Sequence, residues 1–143
     1  AKTLHHELLH AALDAAAPSL AVPAWLNEGL AEWFAARVAG RPALGPGART
    51  ALAEAADRGT LLPLAAIDQP TLVALAPDEA PLAYLQATAL VDTIARRGGE
   101  RALRKLLASY VRSGDLDRAL VRTIGLDVRG LEAETALSLG ASS

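Results

Sequence analysis

The sequence predicts a mainly α-helical protein of six or seven helices in a single domain. Three observations carry that expectation. Apolar residues recur at helical spacing through most of the chain, glycine and proline separate the periodic segments, and no stretch keeps the period-two alternation of a half-buried strand. At 143 residues the chain can build one core without staples, since a domain of this size buries roughly 68–70% of its unfolded surface.

From Lys2 to about Ala17 the positions Leu4, Leu8, Ala11, Ala12 and Ala15 fall on one helical face, and Pro18 closes the segment. The loop "PSLAVP" leads into a second helix over 24–39, with Leu26, Leu30, Trp33, Phe34 and Val38 as its inner stripe and Gly40 as its stop. Turn chemistry makes 40–47, "GRPALGPG", a loop, and a third helix runs from about Ala48 to Arg58 and ends at Gly59. Pro63, Pro70, Pro77 and Pro81 then interrupt an apolar stretch, which leaves room for short turns packed over the core. A long helix is expected from about Ala80 to Arg97, with Tyr84, Ala87, Thr88, Val91, Ile94 and Ala95 along one face, until Gly98 and Gly99 stop it. Further helices cover 100–112, 115–124 and 128–139; Ser113 and Gly114 close the first of these and Asp115 caps the second.

Composition narrows the function classes. With 52% hydrophobic residues, 21% charged and a net charge of −2, the chain lacks the basic balance of a nucleic-acid or anionic-membrane binder. Cysteine is absent, so a disulfide framework, a thiolate metal site and a cysteine nucleophile are all excluded, and any metal must be held by His, Asp or Glu. No run of about 18 apolar residues and no leader pattern occurs, so this segment is expected to make no membrane contact. The chain opens at Ala1 without an initiator methionine, which reads as a piece of a longer protein.

All three histidines fall in "HHELLH", residues 5 to 10. His6, Glu7 and His10 form H-E-x-x-H, and a spacing of four residues sets the two imidazoles about 40° apart on one helical face. Both rings can therefore reach one ion. Zinc hydrolases of this kind use three protein ligands and leave a fourth position for water, so the pattern needs one more donor. Glu28, in "PAWLNEGLAEWF", lies on a helix that a short loop can fold back against the first, and so its carboxylate is the candidate third ligand. Glu7 sits beside a ligand and points past the metal, suited to take a proton from the attacking water and pass it to the leaving amine.

With both motifs present in order, the chain resembles the gluzincin metallopeptidases, the group that includes thermolysin and the M1 aminopeptidases. "HELLH" is similar to their zinc helix and "WLNEGLAEWF" to the segment that delivers the glutamate ligand in the M1 enzymes. The nearest resemblance is to bacterial peptidase MA-like domains, whose C-terminal portions share with this chain a tyrosine-led helix, a glycine stop and further amphipathic helices. Two departures stand out: the gap from the second histidine to the glutamate is one residue shorter than in M1 enzymes, and the exopeptidase signature G-x-M-E-N is missing.

The resemblance implies an orthogonal bundle like the α-helical catalytic subdomain of thermolysin-like enzymes, spanning 1–143 and lacking the β-rich lobe that normally precedes the zinc helix. It also implies Zn2+ held by His6, His10 and Glu28, a bound water whose pKa is lowered toward about 7, and a peptide or protein as substrate. Glu32, one turn after Glu28, would fix the tautomer of a ligand histidine, with a solvated carboxylate as the alternative. Tyr84 would stabilise the oxyanion, although its place on an apolar stripe equally suits core packing. Asn27 belongs to the matched segment, yet its amide can equally bond nearby backbone. His5 points about 100° away from His6 and reads as a structural histidine, while Trp25, Trp33 and Phe34 read as packing around Glu28. Beside zinc-dependent peptide hydrolysis stands a second reading, a non-catalytic peptidase-like binding or scaffold module that keeps the metal site. An intact Glu7 speaks against it, because binding alone needs no base.

Overall fold

In a computed structural model the described residues, 22–69, 72 and 75–140, form six helices and no strand. The sequence-predicted helix over 2–17, with His5, His6, Glu7 and His10, lies outside them. The helices are α1 (Ala24–Val38), α2 (Pro46–Arg58), α3 (Leu64–Ile67), α4 (Ala80–Ser113), α5 (Leu116–Ile124) and α6 (Val128–Gly140). None of them is long and apolar enough to cross a membrane.

The helix α1 is apolar around most of its circumference, and it is accordingly the central element, burying Trp25, Leu26, Gly29, Leu30, Ala31, Trp33, Ala35 and Ala36. It starts at Pro23, whose extended backbone offers no side-chain cap; instead the Ala24 N–H donates to the Gln69 carbonyl at 2.7 Å. At the far end Gly40, with φ +70°, lets the Arg41 and Gly40 N–H groups reach back to the Ala36 and Arg37 carbonyls. Val38, expected on the inner stripe, is 63% exposed: the helix outruns the core by its last turn.

Its main partner is α4, which buries Ala83, Ala87, Thr88, Leu90, Val91 and Ile94 in its first half and Ala102, Leu103, Leu106 and Tyr110 in its second. The stop expected at Gly98 and Gly99 is present, and it divides α4 into two helical halves. Gly99 takes φ 75°, ψ −177°, a conformation essentially confined to glycine, and the helix resumes in a new direction toward α5. Asp115 caps α5 as the sequence implies, its carboxylate accepting from the Arg118 N–H at 3.1 Å. Asp127 does the same for α6 through the Gly130 N–H at 2.8 Å.

Leu120 of α5 and Leu131 of α6 join the same core as Trp25, Leu30, Val91 and Leu106. A smaller cluster of Leu44, Leu52, Ala89 and Leu139 ties α2 and α6 across the outer side of α4. The proline-interrupted stretch holds only the single turn of α3. Gln86 of α4 anchors the chain just before it, accepting from the Leu62 N–H at 2.8 Å and donating to its carbonyl at 3.0 Å. One buried bond then locks the start of α1 to this loop: the Trp25 indole N–H donates to Asp68 Oδ1 at 3.1 Å.

Candidate functional site

Glu28 and Glu32 are the only acids of α1, and both stand half-buried on a helix whose surroundings are otherwise apolar. Four residues apart, they project about 40° from one another along one face.

What sets the third group beside them is Gly29. A Cβ at this position would lie 2.4 Å from the Ala87 carbonyl oxygen and 2.5 Å from Val91 Cγ2, so α1 and α4 cross with their backbones in contact there. Tyr84 precedes Ala87 by one helical turn, and Glu28 and Glu32 flank Gly29. The crossing therefore carries all three side chains to one side of the contact. The Tyr84 phenol pKa is raised above 10.0 by partial burial first, and then by the negative charges of Glu28 and Glu32.

The core packing that its spacing equally suited is not observed for Tyr84. Tyr84 is 40% exposed and not part of the core, whose stripe on α4 is Ala83, Ala87, Leu90, Val91 and Ile94. Its phenol keeps its proton through neutral and moderately alkaline pH, which is the state required of a hydrogen-bond donor. Asn27 is half-buried in the first turn of α1, where its backbone N–H donates to the Pro23 carbonyl at 3.1 Å.

The aromatics around Glu28 divide by role. Trp25 is fully buried and held by Asp68. Trp33 and Phe34 meet edge to face, with ring centroids 5.1 Å apart, and the Trp33 indole bonds the Asp92 carboxyl, which faces away from the carboxylate pair. The sequence reading, that they pack this helix onto the one over 2–17, falls on residues outside those described.

Of the three side chains expected to hold zinc, Glu28 alone falls among the described residues. His6, His10 and the base Glu7 lie outside them, and among the described residues no group of three His, Asp or Glu gathers as a metal site. The donor chemistry nevertheless fits the ion. Two imidazoles and a carboxylate are a normal zinc set, and Glu28 is half-buried on the central helix. Gly29 is the residue that sequence reasoning passed over. A glycine in the interior of an otherwise continuous helix is the signal that would have singled it out.

No curated protein and no solved structure matches the chain. A family model described as the peptidase MA superfamily matches residues 1–140, nearly the full length. With that match joined to a helical bundle that gathers Glu28, Glu32 and Tyr84 at one helix crossing, the chain belongs to the peptidase MA superfamily.

Proposed function

We propose that this chain is the metal-bearing helical part of a zinc-dependent peptidase, with His6, His10 and Glu28 as ligands. The observation that supports it best is that Gly29 brings α1 and α4 into backbone contact beside Glu28, with Tyr84 one turn before the contact and its phenol feeling the charges of Glu28 and Glu32. The family match over both motif segments adds to it.

When bound, zinc supplies polarisation of the scissile carbonyl and acidification of water to a pKa near about 7. The protein's own groups do the rest. Glu7 takes a proton from the attacking water and returns it to the amide nitrogen as the C–N bond breaks. As charge builds on the carbonyl oxygen, the Tyr84 hydroxyl donates to it, and the raised pKa of that phenol keeps the proton in place until then. Glu32 accepts the free ring N–H of a ligand histidine and so fixes its tautomer, while Asn27 orders the start of α1 around Glu28. An apolar packing shell of Trp25 and Leu30 behind Glu28 holds the carboxylate rigid. A β-rich lobe of the same protein, upstream, would close the second wall of the cleft and hold the peptide backbone by strand addition.

The test is cleavage of a quenched-fluorescent peptide library by the full-length protein and by Glu7→Gln, with zinc content measured on the same samples. Loss of cleavage with zinc retained supports hydrolysis by this site. Zinc retained with no cleavage by either protein leaves the binding-module reading in its place.

A further inference from the structure

A second charged site lies on the opposite side of α1. Arg37 is nine residues beyond Glu28, which places it about 180° around the helix and about 13 Å along it. There Arg37 of α1, Arg41 of the following loop, Arg49 of α2 and Arg96 of α4 line a hollow of about 220 Å³, with Trp33 and Asp92 in its walls. Four separate segments each contribute a guanidinium to it.

The acids present cannot balance these cations. Asp92 is shared by Arg96, at 2.9 Å, and Arg49, at 3.5 Å, and also accepts from the Trp33 indole. Glu100 is shared by Arg37, at 2.7 Å, and by Arg104 outside the hollow, at 3.1 Å. Arg41 pairs with no carboxylate among the described residues. Five guanidiniums thus face two carboxylates, in a chain whose net charge is −2. Local excess of positive charge here is a feature of placement and not of composition.

The walls suit an anion as well as the charge does. Arg37 lies 5.6 Å from the Trp33 ring centroid, stacked and so restrained, and the side chain of Arg49 is only 33% exposed. Guanidinium groups present parallel N–H pairs that match the oxygens of a tetrahedral oxyanion, and the exposure of Arg37, Arg41 and Arg96 leaves them open to one from solvent. The volume admits such a group with its first waters.

We propose that this hollow binds a doubly charged oxyanion of the phosphate type, free or as a monoester, at a site distinct from the Glu28 face. Its occupation bridges α1, α2, α4 and the loop at Arg41, and so stiffens the helix that carries Glu28. The proposal does not depend on peptidase activity.

The experiment is calorimetric titration of the protein with inorganic phosphate and with glycerol phosphate at constant ionic strength, alongside acetate, with Tm followed in parallel. Saturable binding of at least one phosphate, a rising Tm and no binding of acetate are expected. Binding of glycerol phosphate alone assigns the site to a phosphate carried on a larger molecule. Arg41→Ala, at a residue without a packing role, is expected to weaken the affinity about tenfold while leaving the Tm without phosphate unchanged. Absence of saturation with either phosphate, equal binding of acetate, or an unchanged affinity in Arg41→Ala overturns the proposal.

Discussion

Substitution of Gly29 by alanine tests the helix crossing on which the candidate site depends. In an isolated helix the change would help, since alanine is favoured over glycine by about 1 kcal/mol at an interior position. Here the new Cβ would fall 2.4 Å from the Ala87 carbonyl oxygen and 2.5 Å from Val91 Cγ2. Both separations fall short of ordinary van der Waals contact by about 1 Å, and one obstacle is backbone, so the helices must part by about that much. Overpacking of this kind costs about 1–3 kcal/mol, and a clash against helical backbone sits at the upper end. The net expectation is a loss of about 2 kcal/mol, or a fall in Tm of about 6 °C. Urea denaturation followed by circular dichroism measures it, with an unchanged slope showing that the same surface unfolds. The separation should also carry Tyr84 away from Glu28 and Glu32 and relax its phenol pKa toward 10. A Gly29→Ala protein as stable as the wild type, or more stable, would mean that α1 and α4 do not touch at this point, and the placement of the three side chains would lose its cause.

Four further outcomes follow from the structure. The chain has two tyrosines, so 13C-tyrosine NMR resolves both titrations; Glu28→Gln and Glu32→Gln should each lower the Tyr84 pKa and leave Tyr110, raised by burial and by Asp68, where it is. Because both phenols are raised in the folded state, their contribution to stability is full below pH 10 and disappears as pH climbs through the folded values, so stability should fall on the alkaline side. Tyr84→Phe should reduce kcat on peptides by about 100-fold with little change in KM, as loss of an oxyanion donor does, while moving stability by less than about 0.5 kcal/mol because the side chain is exposed. Gly99→Ala should destabilise the protein by about 1–3 kcal/mol, since φ 75°, ψ −177° is strained for any residue with a Cβ; an unchanged urea midpoint would mean that the α4 kink does not need it.

Much of this architecture was legible in the residues because the punctuation is strong. Gly40, Gly59 and Gly114 fall at the ends of α1, α2 and the kinked α4, and Asp115 caps α5 where its spacing says it should. Local chemistry decides such positions. The stop at the Gly98–Gly99 pair was legible in the same way, since Gly99 leaves helical geometry and separates the two halves of α4. Val38 and Tyr84 were harder: a periodic stripe says which residues share a face, but only the length and position of the partner helix decide which of them are covered. Tyr84 lies a turn ahead of the Gly29–Ala87 contact, just beyond the packed stripe. Motif spacing supplied the candidate ligands and base, of which His6, Glu7 and His10 lie outside the described residues. The link from Glu28 to Tyr84 was not, because it depends on a close helix crossing that one missing Cβ allows. The arginine hollow likewise joins four segments that nothing in local sequence connects.

Zinc binding by the Glu28→Ala protein is the measurement that bears most directly on the proposed role of α1. Competition titration against a zinc chelator should give one tight site per wild-type chain. In Glu28→Ala, folded to the same far-UV spectrum, the affinity should fall by about 100-fold or more, since two imidazoles alone are left to hold the ion. If Glu28→Ala binds zinc as tightly as the wild type, the carboxylate on α1 is not a ligand and the metal centre proposed here is wrong.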